Sequence, residues 1–206
     1  MIQIDVYSDL VCPWCFVGKR RLERAVAGRE KEVEVVWRPF ELNPAMPQGG
    51  MAREEYRQAK FGSLERSREL EQRVIEAGRT VDLPFEFGKI KRTPNTFDGH
   101  RLMWLARREG RQNELAEQLF RAYFLEGRDL GDRAVLSEAA ERAGVDARGV
   151  LEGDGGAKEV RREEAQGAAL GVQGVPFFVF AGRVALSGAQ APETILEAIQ
   201  SAAAPR

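Results

Sequence analysis

Cys12 and Cys15 are the only cysteines in a chain of 206 residues, and they fall where its pattern changes period. Before them, Ile2, Ile4 and Val6 alternate with polar residues, as in a half-buried strand. After them, Cys15, Gly18, Leu22, Ala25 and Val26 recur on one helical face, opposite Lys19, Arg20, Arg21, Glu23 and Arg24. Pro13 suits a first helical turn, where its missing N–H costs nothing. The spacing therefore predicts a dithiol at the start of a helix that directly follows a strand. Residues 33–37 form a second β-branched apolar run. Strand, helix and strand in close succession predict a βαβ unit with parallel pairing.

From residue 44 to residue 155 the pattern is helical and poor in strands. Residues 52–78 are highly charged, with Phe61, Leu64, Leu70, Val74 and Ile75 as the buried side. A helix is expected from Thr96, after the start signal Thr93-Pro94-Asn95. Leu115, Leu119, Phe120 and Tyr123 make one apolar stripe, and Val135, Leu136, Ala139, Ala140 and Ala143 another, ended by Gly144. An α/β pattern then returns: a helix over 157–170, a strand over 177–180, a tight turn at Ala181-Gly182 and a partner strand over 184–186. Pro192 opens a last helix, and residues 201–206 are expected to fray. The expected architecture is an α/β thioredoxin-like core, built discontinuously from 1–43 and 156–206, carrying a large all-helical inserted domain at 44–155.

Composition excludes several functions. Lys and Arg number 31 against 32 Asp and Glu, so the chain lacks the basic footprint of a nucleic-acid or anionic-membrane binder. No apolar run approaches the roughly 18 residues of a membrane span. The first residues show neither a basic nor an apolar leader pattern, which predicts a cytoplasmic protein. Two cysteines and one histidine fall short of the usual zinc sets, so no metal is expected.

Disulfide exchange needs a thiolate that attacks a disulfide sulfur and a second thiol that resolves the mixed disulfide. A helix start favours negative charge, which designates Cys12 as the nucleophile. Cys15, a turn further in and expected to be less exposed, is the resolver. Pro13 and Trp14 stand between them as contacts for a substrate. A metal half-site shared by two copies and a static disulfide are the alternative uses of such a pair. A second element is Val175-Pro176, just before the apolar strand. It is either an ordinary strand entry or a surface on which an extended substrate pairs. His100 is either a satisfied structural residue or an acid–base or glutathione contact. Asn95 and Thr96 are either helix caps or ligands, and Glu41 is expected at a strand-exit surface rather than as a buried proton acceptor for Cys15.

The segments Ser8-Asp9-Leu10-Val11-Cys12-Pro13-Trp14-Cys15, Arg38-Pro39-Phe40-Glu41-Leu42-Asn43-Pro44, Pro94-Asn95-Thr96-Phe97-Asp98-Gly99-His100-Arg101-Leu102 and Gly174-Val175-Pro176-Phe177-Phe178 resemble the FrnE-like branch of the DsbA-like thioredoxin superfamily. That branch neighbours the 2-hydroxychromene-2-carboxylate isomerases and the kappa-class glutathione transferases. The resemblance implies an intracellular protein disulfide oxidoreductase or isomerase with a cis peptide at Val175-Pro176 facing the dithiol. It needs no organic cofactor. Its substrates are proteins or small molecules with thiols or disulfides, and glutathione or thioredoxin serves as electron partner. The apolar helices of the insertion are a candidate homodimer surface. Two other functions stay open at this point: a glutathione-dependent isomerase or transferase, whose relatives usually carry serine at the position of Cys12, and a chaperone-like binding module without turnover.

Overall fold

The computed structural model describes residues 1–204. In chain order they form β1 (Ile2–Ser8), α1 (Pro13–Ala25), β2 (Val33–Pro39), β3 (Met51–Ala52), α2 (Arg53–Phe61), α3 (Leu64–Arg79), β4 (Arg92–Thr93), α4 (Phe97–Arg108), α5 (Gln112–Phe124), α6 (Arg133–Arg142), α7 (Arg148–Leu151), α8 (Ala157–Ala169), β5 (Phe177–Phe180), β6 (Val184–Ser187) and α9 (Pro192–Ala203). The chain divides into two compact units, Met1–Leu42 with Glu159–Arg206, and Asn43–Lys158.

The first unit is built on a four-stranded sheet of order β2-β1-β5-β6. β1 runs parallel to β2, with Val6 opposite Trp37, and antiparallel to β5, with Val6 opposite Phe178. β5 and β6 close as a hairpin in which Phe178 faces Leu186. Its turn needs left-handed backbone at both central residues, and Ala181 and Gly182 have φ of 50° and 65°. Ile4, Val6, Phe16, Val17, Leu22, Phe178, Phe180 and Ile195 fill the core of this unit. α1 thereby lies with one face buried and with its first turn at the C-terminal end of β1, where Ser8 and Asp9 lead into Cys12.

α1 departs from its expected polar face at one point. Lys19 is buried, its stem running into the core and its ammonium bonded to Glu23 one turn on. A long lysine stem can be covered while its charged end finds a partner. The last helix also outruns its expected fraying, with Ala198, Ile199 and Ala202 buried out to the final turn. Residues 205 and 206 of the expected frayed tail lie outside the described residues.

The second unit is helical, with a core of Leu102, Leu115, Leu119, Phe120, Tyr123, Leu130 and Leu136. The charged stretch 52–78 is two helices rather than one. Gly62 ends α2 in left-handed backbone (φ 82°), and the Ser63 hydroxyl caps α3 by accepting from the Arg66 N–H at 3.0 Å. This unit is also not wholly helical. Met51–Ala52 pairs antiparallel with Arg92–Thr93. A two-residue strand is too short to show a period of two, so this ribbon left no trace in the sequence pattern.

Candidate active site: a dithiol at the start of α1

Cys12 is the N-cap of α1 and keeps extended backbone, φ −91° and ψ 109°. Its own N–H donates to the Asp9 carbonyl at 3.1 Å, and its carbonyl accepts from the Cys15 N–H at 3.0 Å. Its side chain makes no cap bond to the helix. The thiol instead donates across the unit to the Val175 carbonyl, with Sγ 3.5 Å from the oxygen. The Val175–Pro176 peptide is cis. Pro13 occupies the first helical turn, and Trp14 is 36% exposed beside two covered sulfurs. Both cysteines are free thiols.

Cys12 is 4% and Cys15 1% exposed, so a difference in exposure separates them less than the sequence led one to expect. The leading thiol also finds a partner in the Val175 carbonyl. The asymmetry lies in the surroundings of Cys15. Burial pushes the Cys15 thiol well above its ordinary value, and the hydrogen bond and charge of Cys12 push the same way. The nearby polar groups of Ser8 and the Asp9 main chain oppose them only in part. The second sulfur is therefore held as a neutral thiol in the resting dithiol.

Two residues to which the sequence assigns no role in the site shape it. At Gly18 a Cβ would stand 3.1 Å from Pro176 Cγ and 3.3 Å from Phe178 Cζ. Glycine thus lets α1 approach the Val175–Pro176 segment closely. The available signal was a glycine inside a helical pattern, which commonly marks a close packing contact. Asp9 is the other. It is buried, its Oδ2 accepts from the Leu42 N–H at 2.7 Å, and its main chain holds the Cys12 N–H.

The other candidates come from other segments of the chain. Asn95 and His100 belong to the helical unit. Asn95 accepts from the Phe97 N–H at 2.9 Å and donates to the Met46 carbonyl at 2.8 Å, which ties the start of α4 to the chain before β3. His100 is buried one turn into α4, its N–H donating to the Thr96 carbonyl at 3.0 Å. Glu41 corrects an expectation. It is buried rather than at the surface, and its Oε1 accepts from Arg161.

A mixed sheet with β1 at its centre, a CxxC pair opening the helix after that strand, and an X-Pro segment facing the leading sulfur define a thioredoxin-fold protein. The chain belongs to the DsbA-like thioredoxin domain family, whose model matches residues 3–200. It is 35% identical to a probable DsbA oxidoreductase of Streptomyces coelicolor, with a TM-score of 0.90 over 98% of this chain and 90% of that one. It is 31% identical over 146 residues to the uncharacterized protein YwbO of Bacillus subtilis (strain 168), which covers 70% of this chain and 68% of that protein. The cytosolic disulfide reductase DsbM of Pseudomonas aeruginosa, solved with glutathione, shares the fold at 17% identity, with a TM-score of 0.67 over 97% of this chain and 98% of that one. Among the described residues, no helix is long and apolar enough to cross a membrane.

Proposed function

We propose that this chain is a cytoplasmic thiol–disulfide oxidoreductase in which Cys12 exchanges with substrate and Cys15 resolves. The observation that carries this reading is the pairing of a leading thiol, bonded to the Val175 carbonyl at the start of α1, with a following thiol that burial keeps protonated.

In the reducing direction, the Cys12 thiolate attacks one sulfur of a substrate disulfide. A Cys12–substrate disulfide forms, the substrate S–S bond breaks, and the first substrate thiolate leaves and takes a proton. Cys15 then loses its proton and attacks Cys12 Sγ. The Cys12–Cys15 disulfide forms, the mixed disulfide breaks, and the second substrate thiol departs. Two electrons have moved to the substrate. Glutathione or thioredoxin, as dithiol or two thiols, returns the pair to its reduced state. The oxidising direction is the same sequence reversed. Val175 and Pro176 position an extended partner beside Cys12, its main chain taking the Val175 carbonyl that the resting thiol occupies. Pro13 and the exposed face of Trp14 complete the contact surface.

The order of the two roles follows from protonation. Were both sulfurs ionised together, two thiolates would repel at close range. A neutral Cys15 removes that cost, and it is unmasked once Cys12 is tied up in a mixed disulfide and no longer carries charge. Replacing Cys12 by serine is expected to return glutathione-disulfide and insulin reduction to the uncatalysed rate, a loss of at least about a thousandfold. Coupled absorbance assays measure it, and turnover within tenfold of the parent overturns the reading.

A further inference from the structure

The helical unit holds a cavity of about 470 Å³ that the dithiol chemistry does not use. The figure falls within the roughly 300–1,000 Å³ of small-molecule sites. Its wall comes from three stretches: Ala52 of β3 with Arg53, Glu54 and Arg57 of α2, then Leu64, Ser67, Arg68 and Glu71 of α3, and then Phe87, Gly88, Ile90 and Lys91. The β3–β4 ribbon joins the first to the third, and the Arg53 N–H donates to the Lys91 carbonyl at 2.9 Å. The ribbon thus sets two walls of the cavity at a fixed distance.

Charge in the cavity is unbalanced at its centre. Arg53 Nη2 and Arg57 Nη1 converge on the same oxygen of Glu71, at 2.6 Å and 3.2 Å. Two guanidiniums therefore share one carboxylate in a half-buried site. At the exposed rim Arg68 and Lys91 add two cations against the single carboxylate of Glu54. Burial pulls the Arg57 guanidinium below its usual value. Glu71 offsets this in part, and Arg53 adds to it. A second anion between the two arginines would relieve that repulsion.

The arginines are also held in place. Arg57 donates through Nε to the Ser67 hydroxyl and through Nη2 to the Ser67 carbonyl at 2.8 Å, and its guanidinium lies 5.0 Å from the centroid of the Phe61 ring. The Arg53 guanidinium stands over the Phe87 ring at 5.6 Å, and Phe87 stacks on Phe85 at 5.1 Å. Planar donors fixed before a ligand arrives suit the forked geometry of carboxylate and phosphate, and they save the ordering cost of binding. Beside them, Phe87 and Ile90 are buried apolar side chains on the same wall, with Leu64 half-buried opposite. An organic group joined to the anion would reach these lining side chains, which a bare inorganic ion would not.

We propose that this cavity binds a small organic anion, its carboxylate or phosphate held between Arg53 and Arg57 and its apolar body against Leu64, Phe87 and Ile90. Titration calorimetry on the full chain tests it with phenyl phosphate, phenylacetate, inorganic phosphate and phenol. Phenyl phosphate or phenylacetate is expected to bind, inorganic phosphate more weakly, and phenol not at all. Arg53→Gln should weaken the organic anion by at least about tenfold, which is about 1.4 kcal/mol. Lys91→Gln, at an exposed rim position, should weaken it severalfold. The Cys12→Ser/Cys15→Ser double variant should bind as the parent does, which separates this site from the dithiol. The proposal is overturned if neither organic anion binds at millimolar concentration. Affinity unchanged by Lys91→Gln, or phenol matching phenyl phosphate, overturns it equally.

Discussion

Arg101→Leu is expected to destabilise the protein by about 3–5 kcal/mol, the scale on which losing one partner of a buried charged network is felt. Arg101 is 5% exposed, and every arm of its guanidinium is used. Nε donates to the Gly155 carbonyl at 2.9 Å, Nη1 to Asp98 at 2.7 Å, and Nη2 to the carbonyls of Val150 and Gly153. The side chain thereby ties α4 to the end of α7 and to the loop that leads into α8. Leucine fills part of the volume but leaves three main-chain carbonyls and a carboxylate without their donor. For a chain of this size the thermal midpoint should fall by about 10 °C or more. Arg101→Lys should recover only part of the loss, because one ammonium cannot replace a planar fork. Circular dichroism melts measure both variants. A midpoint within 2 °C of the parent for Arg101→Leu would show that the network contributes little.

The second large effect is chemical. Iodoacetamide at pH 7 is expected to label Cys12 at least about tenfold faster than Cys15, since each unit by which a thiol's pKa rises cuts its thiolate fraction tenfold. The Cys15 thiol is raised by burial first and by Cys12 second, so its labelling should appear only as the pH climbs well beyond the ordinary thiol range. The same shift has a consequence for stability. The folded state holds the Cys15 proton more tightly than the unfolded chain does. That contribution is complete below about pH 8.5, the ordinary thiol value, and is lost as pH rises through the higher folded value. The reduced protein should therefore lose stability at alkaline pH relative to Cys15→Ala. Mass spectrometry of labelled peptides across pH 6–10 reads the first effect, and equal labelling of the two sulfurs at pH 7 would remove the proposed division of roles.

The dithiol could be read from the sequence because its surroundings are local. A strand of period two, Pro13 in a first turn and a helix of period 3.6 all lie within a few residues of Cys12, and each announces itself without tertiary help. Val175-Pro176 was legible by its place before an apolar strand. Side chains whose state depends on a distant partner were less legible. Lys19 looks like one of several cations on a helix surface until the core closes over its stem. Glu41 looks solvated until Arg161, far along the chain, is brought to it. The partner of the leading sulfur was hidden for the same reason, since the carbonyl bonded to Cys12 belongs to Val175. The β3–β4 ribbon escaped because two residues carry no period. The segment from Pro94 to Leu102 stood out as a block, and the structure ties its Asn95 to main chain on both sides of itself and its Arg101 to the α7–α8 connection.

Trapping is the most direct measurement of the central claim. In Cys15→Ser, a mixed disulfide between Cys12 and its partner has no internal thiol to release it, so it should accumulate with glutathione disulfide or an oxidised peptide and be seen as one added mass on Cys12. Cys12→Ser should trap nothing, because the remaining thiol is buried and protonated. Adducts that form on Cys15 in Cys12→Ser, with none on Cys12 in Cys15→Ser, would contradict the account.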